Sequence, residues 1–339
     1  ETKSERKRIK QYRAAVRKAQ RGKYAESFDR LDRLGAIVEC QTIDEQRERL
    51  VADYLALAGR KKSTVIVSQT WGEIHEINER IRAGLRTAGL IDKTDSTVTA
   101  LARLDLTNAQ KRDRRFYPDG AVMVFNRETK DFAKGEVGKL LKATPTHLLV
   151  QTEKQVQRIP FKLLDRLTVC QAVEMTLAKG DQLQLKANAP SLDGKELTNG
   201  ELVTVKTVKP NGQIELKDGR VLPENYREFV RGYAITSYGS QGKTVQHVLF
   251  SDSTVKAATN NQQWLVTISR GTRAVKIFTP DKEQLRENVS RLGDRELAIE
   301  FAKQDSPQSR RMPPPVRKYI NGLIQSRRPQ VAQLPIEKI

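Results

Sequence analysis

The chain of 339 residues is long enough for two or three packed units, and its 37% hydrophobic and 30% charged residues suit well-filled cores beneath a polar surface. No run of about 18 apolar residues occurs, which excludes a bilayer-spanning helix and membrane insertion, and the charged opening Glu1 to Lys10 lacks the apolar stretch of a signal peptide, so a cytoplasmic location is expected. Lys and Arg outnumber Asp and Glu by 61 to 41, a net charge of +20; such an excess suits a protein that neutralises phosphates, or, in the plainer reading, only aids solubility.

Residues 9–22 read as a basic helix, uninterrupted by Pro or Gly until Gly22. A second short helix through Phe28, Leu31 and Leu34 closes at Gly35, as a cap glycine would close it. Asp44 to Leu57 is helical again, with Leu50, Tyr54 and Leu57 along one face. The run Thr64, Val65, Ile66, Val67 is apolar at nearly every position, the pattern of a strand buried on both faces in a parallel α/β sheet. The helix after it carries Ile74, Ile77, Ile81 and Leu85 at spacings of three and four. From about Tyr117 short β-like runs alternate with glycine turns. The stretch from Pro118 to Val150 resembles that from Lys179 to Leu216, which suggests two small β modules in tandem or one irregular β domain. Helix and strand character returns after residue 226, ending in the strand Val275 to Phe278. The expected division is a helical lead-in over 1–60, an α/β domain over 61–112 and 226–305, a β insertion over 113–225, and a proline-containing basic tail over 306–339 that serves as linker or docking segment.

Cys40 and Cys170 lie far apart, and His75, His147 and His247 are scattered, so neither a disulfide framework nor a structural metal is expected. The informative stretch is Tyr233 to Thr244, Tyr-Ala-Ile-Thr-Ser-Tyr-Gly-Ser-Gln-Gly-Lys-Thr. Its end, Gly242, Lys243 and Thr244, imitates a phosphate-binding P-loop, but the glycine that motif requires five residues earlier is Ser237. Further on stands Trp264 to Thr272, Trp-Leu-Val-Thr-Ile-Ser-Arg-Gly-Thr, followed by the apolar strand.

These two stretches, in this order and at this spacing, resemble motifs V and VI of superfamily 1 DNA helicases, in the version of the RecD-like and conjugative relaxase-helicase branch. That branch usually has His where this chain has Tyr238. Thr64 to Ser68 with the following helix resembles the family's motif IV region. The opening, Gln11 to Gly35, resembles the helix pair after its Arg-Gln motif, and the paired β stretches resemble its inserted SH3-like subdomain.

The resemblance implies a RecA-like, P-loop-NTPase-type fold serving as the second motor domain, with small SH3-like barrels inserted. It implies ATP-dependent movement along single-stranded DNA with 5′ to 3′ polarity, and conjugative transfer proteins as further partners. ATP and Mg2+ would be held mainly by an upstream RecA-like domain. Arg270 would be the arginine finger, Gln241, Gly242 and Ser269 would lie beside the nucleotide, and Ser68, Thr70, Thr236, Ser237 and Tyr238 would face the DNA. This chain, without a P-loop of its own, would not hydrolyse ATP alone. The rival readings are a non-catalytic DNA-binding module and a partner-docking platform. Trp71 and Trp264 are candidates for base stacking or for the core, and the basic run Lys111, Arg112, Arg114 and Arg115 for a phosphate track or a solvated linker.

Overall fold

The computed structural model describes residues 2–129, 131–153, 155–252 and 259–291; the tail expected at 306–339 and the end of the segment over 226–305 lie outside them. Helix α1 (Lys3–Gln20) begins at a reciprocal cap, in which Thr2 Oγ1 accepts from the Glu5 amide and the Glu5 carboxylate accepts from the Thr2 amide. Helix α2 (Tyr24–Arg33) follows, and Gly35 at φ +67° turns the chain into strand β1 (Ile37–Glu39). Helices α3 (Ile43–Gly59) and α4 (Trp71–Thr87), started by the side chains of Thr42 and Thr70, flank strand β2 (Thr64–Ser68).

An antiparallel region comes next. It contains β3 (Ser96–Arg103), β4 (Val122–Phe125), β5 (Val137–Ala143), β6 (His147–Gln151), β7 (Val156–Pro160) and β8 (Leu167–Leu177), paired in the order β3-β8-β4-β5-β6-β7. Beyond it run β9 (Gln182–Leu185), the short pair β10 (Ala189–Pro190) and β11 (Glu196–Leu197), then β12 (Leu202–Val208), β13 (Ile214–Leu216) and β14 (Phe229–Arg231); a second sheet has the order β13-β12-β9-β14. The chain then returns through β15 (Ala234–Thr236), β16 (Val245–Ser251), helix α5 (Asn261–Ile268), β17 (Gly271–Thr279) and helix α6 (Lys282–Asn288).

The antiparallel region thus begins at Ser96, not at 113. Strand β3 pairs with β8 along its whole length, from Ser96 opposite Leu177 to Arg103 opposite Cys170. Its small and polar residues give a weak alternation that the sequence pattern does not expose. The region's far end, β14, lies likewise beyond residue 225.

The five remaining strands form one parallel sheet in the order β1-β17-β16-β2-β15. β2 has a partner on each side, and all five of its residues are buried, which is why it is apolar nearly throughout. Val65 and Val67 join Val248, Phe250, Val275 and Ile277 under α1, α2, α5 and α6. Ile66 and Leu249 point the other way, under Leu50 and Tyr54 of α3 and Ile74, Ile77, Ile81 and Leu85 of α4. The result is a three-layer α/β core, and truncating a residue such as Ile66 to Ala would cost it about 2–5 kcal/mol.

Two polar devices attach the antiparallel region. Buried Asn78 of α4 accepts from the amides of Tyr233 and Ala234 at 3.0 and 2.9 Å and donates to Ala234 O at 3.3 Å, fixing where β15 begins. Asp181, fully enclosed in the turn between β8 and β9, accepts from Arg82 Nε at 3.0 Å and from the Tyr233 hydroxyl at 2.7 Å. No described helix is long and apolar enough to cross a membrane.

Candidate functional site

A parallel sheet has two unlike edges, and the expected site residues divide between them. At the C-terminal edge, Ser68 ends β2 opposite Thr236, which ends β15. Ser68 is fully buried and donates to the Glu73 carboxylate, whose other oxygen accepts from Ser251 Oγ at 2.5 Å. Gln46 Nε2 in turn donates to Ser251 Oγ at 3.0 Å. Ser68, expected to face a DNA phosphate, is thus enclosed beneath the surface. A central strand carries its last residue inward beneath the first turn of α4, where the hydroxyl serves to seat a buried carboxylate.

Thr70 is exposed and caps α4 through the Glu73 amide. Thr236 is partly buried, its hydroxyl accepting from the Gly239 amide at 2.9 Å. Ser237 points inward, donating to Gln69 Oε1 at 3.3 Å and lying 3.3 Å from the Thr267 hydroxyl; it too is turned away from the surface, because its backbone continues a buried strand end. Tyr238, at 71% exposure, stands open. The edge also holds Asp252, which the motif reading passes over. Burial pushes its carboxyl up to about 6, against the lowering pull of Thr259 and Thr279, which donate at 2.6 and 3.0 Å. The available signal was its place just past the end of an apolar strand, where α/β proteins gather functional side chains.

From Tyr238 the chain crosses to the N-terminal edge in a short 3-10 turn, Tyr238–Ser240, and an exposed bend with Gly242 at φ +75°, where the missing Cβ makes the left-handed turn inexpensive. Gly242, Lys243 and Thr244 lead directly into β16, whereas a phosphate-cradling loop must open a helix. The Lys243 ammonium is engaged with the Gly200 carbonyl of the antiparallel region. Gln241 and Gly242 line a cavity of about 740 Å³ with Lys62, Thr64, Gly200 and Arg220.

Arg270 comes to this same edge, since its carbonyl accepts from the Val245 amide at 3.1 Å. It follows the last turn of α5, and its guanidinium donates to Val266 O and to Ser269 Oγ, both at 2.9 Å. The negative end of a helix is a favourable resting place for a cation, and neither partner is a carboxylate. Beside it the buried Tyr12 hydroxyl donates to the Ile268 and Gly271 carbonyls, and burial pushes that phenol well above its ordinary range. A Cβ on Gly271 would lie 2.7 Å from the Tyr12 hydroxyl, so α1 is seated against a bare backbone. Arg6, Lys10, Arg13, Arg17 and Arg273 surround an adjoining concavity of about 550 Å³.

Elsewhere, Trp264 is fully enclosed against Phe28, whereas Trp71 is 43% exposed. Lys111 of the basic run turns inward, donating to the carbonyls of Leu164 and Leu167 at 3.0 and 2.8 Å, and Arg115 pairs with Asp113.

Fold and site together define a three-layer α/β protein with an antiparallel insertion, in which a single loop joins an aromatic, hydroxyl-bearing edge to an edge rich in guanidinium groups. No family model matches the chain. It is similar to the "Multifunctional conjugation protein TraI" of Escherichia coli, 22% identical over 178 residues, which is 52% of this chain and 10% of that protein; the chain thus spans about a tenth of the curated relative's length. Among solved structures it is similar to the Pif1 helicase from Bacteroides in complex with ADP-AlF3 and ssDNA, with 11% identity, a TM-score of 0.28, and coverage of 86% of this chain and 53% of that one. The Pif1 helicase from Candida albicans gives 14% identity and a TM-score of 0.24, over 76% of this chain and 56% of that one.

Proposed function

We propose that this chain is the second, RecA-like motor domain of a superfamily 1 DNA helicase or single-strand translocase, of the RecD-like branch that includes conjugative relaxase-helicases. In this reading the antiparallel sheets are its inserted SH3-like modules, movement runs 5′ to 3′, and the upstream RecA-like domain is the first partner. The resemblance of Tyr233–Thr244 and Trp264–Thr272 to motifs V and VI supports it, as does the similarity to a conjugation protein. The observation that carries it is the loop from Ser237 to Thr244, which touches both edges of the sheet and meets α5 through Ser237 and Thr267, one turn before Arg270.

The chemistry follows from the two edges. Arg270 has no carboxylate among its hydrogen-bond partners, and Arg273, three positions on, lines a concavity with Arg6, Arg13 and Arg17, a basic environment that fits the polyphosphate of ATP. With ATP and Mg2+ held on the upstream domain, transfer of the γ-phosphoryl group to water would release ADP and spread charge over the phosphoryl and leaving oxygens in the transition state. Arg270 would leave the Val266 carbonyl and Ser269 hydroxyl to stabilise that charge. Its planar, permanently charged fork suits the task, and such fingers contribute about 10³–10⁵ in rate. Ser269 parks Arg270 between turnovers, while Gln241 and Gly242 border the nucleotide. Thr70, Thr236 and Tyr238 face the single strand, with Ser68 and Ser237 holding them from beneath.

The test compares single-strand-stimulated ATP hydrolysis by this chain, by the chain with its native upstream sequence, and by that longer form carrying Arg270→Ala. Hydrolysis confined to the longer form, and reduced about a thousandfold by the substitution, is the expected result. Robust hydrolysis by the chain alone, or an unaffected Arg270→Ala variant, would overturn the proposal.

A further inference from the structure

The chain has two tryptophans, at positions 71 and 264. Trp264 is core, its indole N–H donating to Ser27 Oγ at 3.2 Å. Trp71 opens helix α4 and leaves 43% of its surface to solvent. One exposed aromatic needs no explanation; one flanked by groups of matching chemistry does.

Three observations surround it. Trp71 follows Ser68 by three positions and the open Tyr238 follows Thr236 by two, and Ser68 and Thr236 are register partners on adjacent strands, so both rings leave the sheet at the same edge. The two segments are tied together by the Ser237 to Gln69 hydrogen bond at 3.3 Å, so neither ring rides on an independent loop. Finally, Lys186, just after β9, places its ammonium 5.1 Å from the centre of the Trp71 ring, which brings a cation from the antiparallel region to this edge.

We propose that Trp71 stacks on the bases of single-stranded nucleic acid, forming a two-ring platform with Tyr238, and that Lys186 contacts the phosphate backbone. The antiparallel insertion is then one wall of the nucleic-acid groove. An unpaired nucleotide offers an apolar face and a phosphate charge, and an open indole with a cation beside it matches both without reading sequence. This deepens the reading of the C-terminal edge as DNA-facing and rests on it.

The experiment uses the full chain with labelled oligothymidine and with an abasic strand of equal length, recording strand anisotropy and intrinsic tryptophan emission. Because Trp264 is enclosed, quenching reports Trp71. Oligothymidine quenches the emission and the abasic strand does not. Trp71→Ala weakens oligothymidine binding about 5- to 150-fold and leaves abasic binding unchanged, while Trp71→Phe keeps most of the affinity but loses the quenching, and so carries the test if the alanine variant fails to fold. Lys186→Gln weakens both strands and lowers the slope of log affinity against log salt by about one. Strand binding by the parent chain without quenching, or unchanged oligothymidine affinity in Trp71→Ala, overturns the stacking proposal and leaves the DNA-facing edge standing; no binding to either strand overturns both.

Discussion

The hydroxyl oxygens of Ser237 and Thr267 lie 3.3 Å apart inside the protein, and they belong to segments that emerge at opposite edges of the sheet. Ser237 immediately precedes the exposed Tyr238. Thr267 begins the turn that delivers Arg270, whose amide donates to the Thr267 carbonyl at 3.2 Å. In the proposed reading, a shift at one edge reaches the other through these two side chains and one helical turn.

Gly271→Ala tests how firmly the arginine edge is set. The added methyl would lie 2.7 Å from both the Ala274 carbonyl and the Tyr12 hydroxyl, so α1 must move away. Overpacking of this kind costs about 1–3 kcal/mol, read as a lowered urea midpoint. Because the substitution already displaces Tyr12, adding Tyr12→Phe costs less in that background than in the parent chain. Full additivity would mean that the tyrosine and the glycine act separately.

Asp181→Ala probes the attachment of the antiparallel region. It leaves the buried guanidinium of Arg82 with the partly exposed Asp95 as its remaining close carboxylate and strips the Tyr233 hydroxyl of its acceptor. Breaking a buried pair from one side costs about 3–5 kcal/mol. Protection of β9 and β14 amides from hydrogen exchange falls first, since these strands flank the broken joint. A loss spread evenly over the parallel sheet would argue against this assignment.

Asp252 gives a pH signature of defined sign. Its carboxyl is raised from 3.8 to about 6 in the folded chain, so between those values the folded state holds a proton that the unfolded state has released. Stability from this group therefore falls as pH rises from about 4 to 6, and the penalty is complete above that window. Asp252→Asn removes it, so the variant is more stable than the parent by up to about 3 kcal/mol near neutral pH, and the advantage shrinks towards pH 4. A pH-independent difference in urea midpoint would contradict the assignment.

What the sequence discloses here follows from physical constraint. β2 is legible because burial on both faces leaves room for little but apolar side chains, and α4 because Ile74, Ile77, Ile81 and Leu85 all enter one core. β3 is hidden because Ser96, Thr97 and Thr99 lie among small residues, and only its pairing with β8 makes it a strand. At the site, residue type and spacing pick out the loop and Arg270, but not which hydroxyls reach solvent. Ser68 and Thr70 differ by two positions, yet one lies beneath Glu73 and the other is open. Trp71 and Trp264 both adjoin strands, and only the packing of α5 on α2 makes one of them core.

Communication between the two edges is read from Thr267→Val, which removes one hydroxyl while keeping the side chain's shape. In the form that includes the native upstream sequence, ATP hydrolysis is measured with and without single-stranded DNA. Communication predicts basal hydrolysis within about twofold of the parent and a loss of most of the stimulation by DNA, since a hydrogen bond of this kind contributes about 1 kcal/mol. Stimulation equal to the parent's would contradict it.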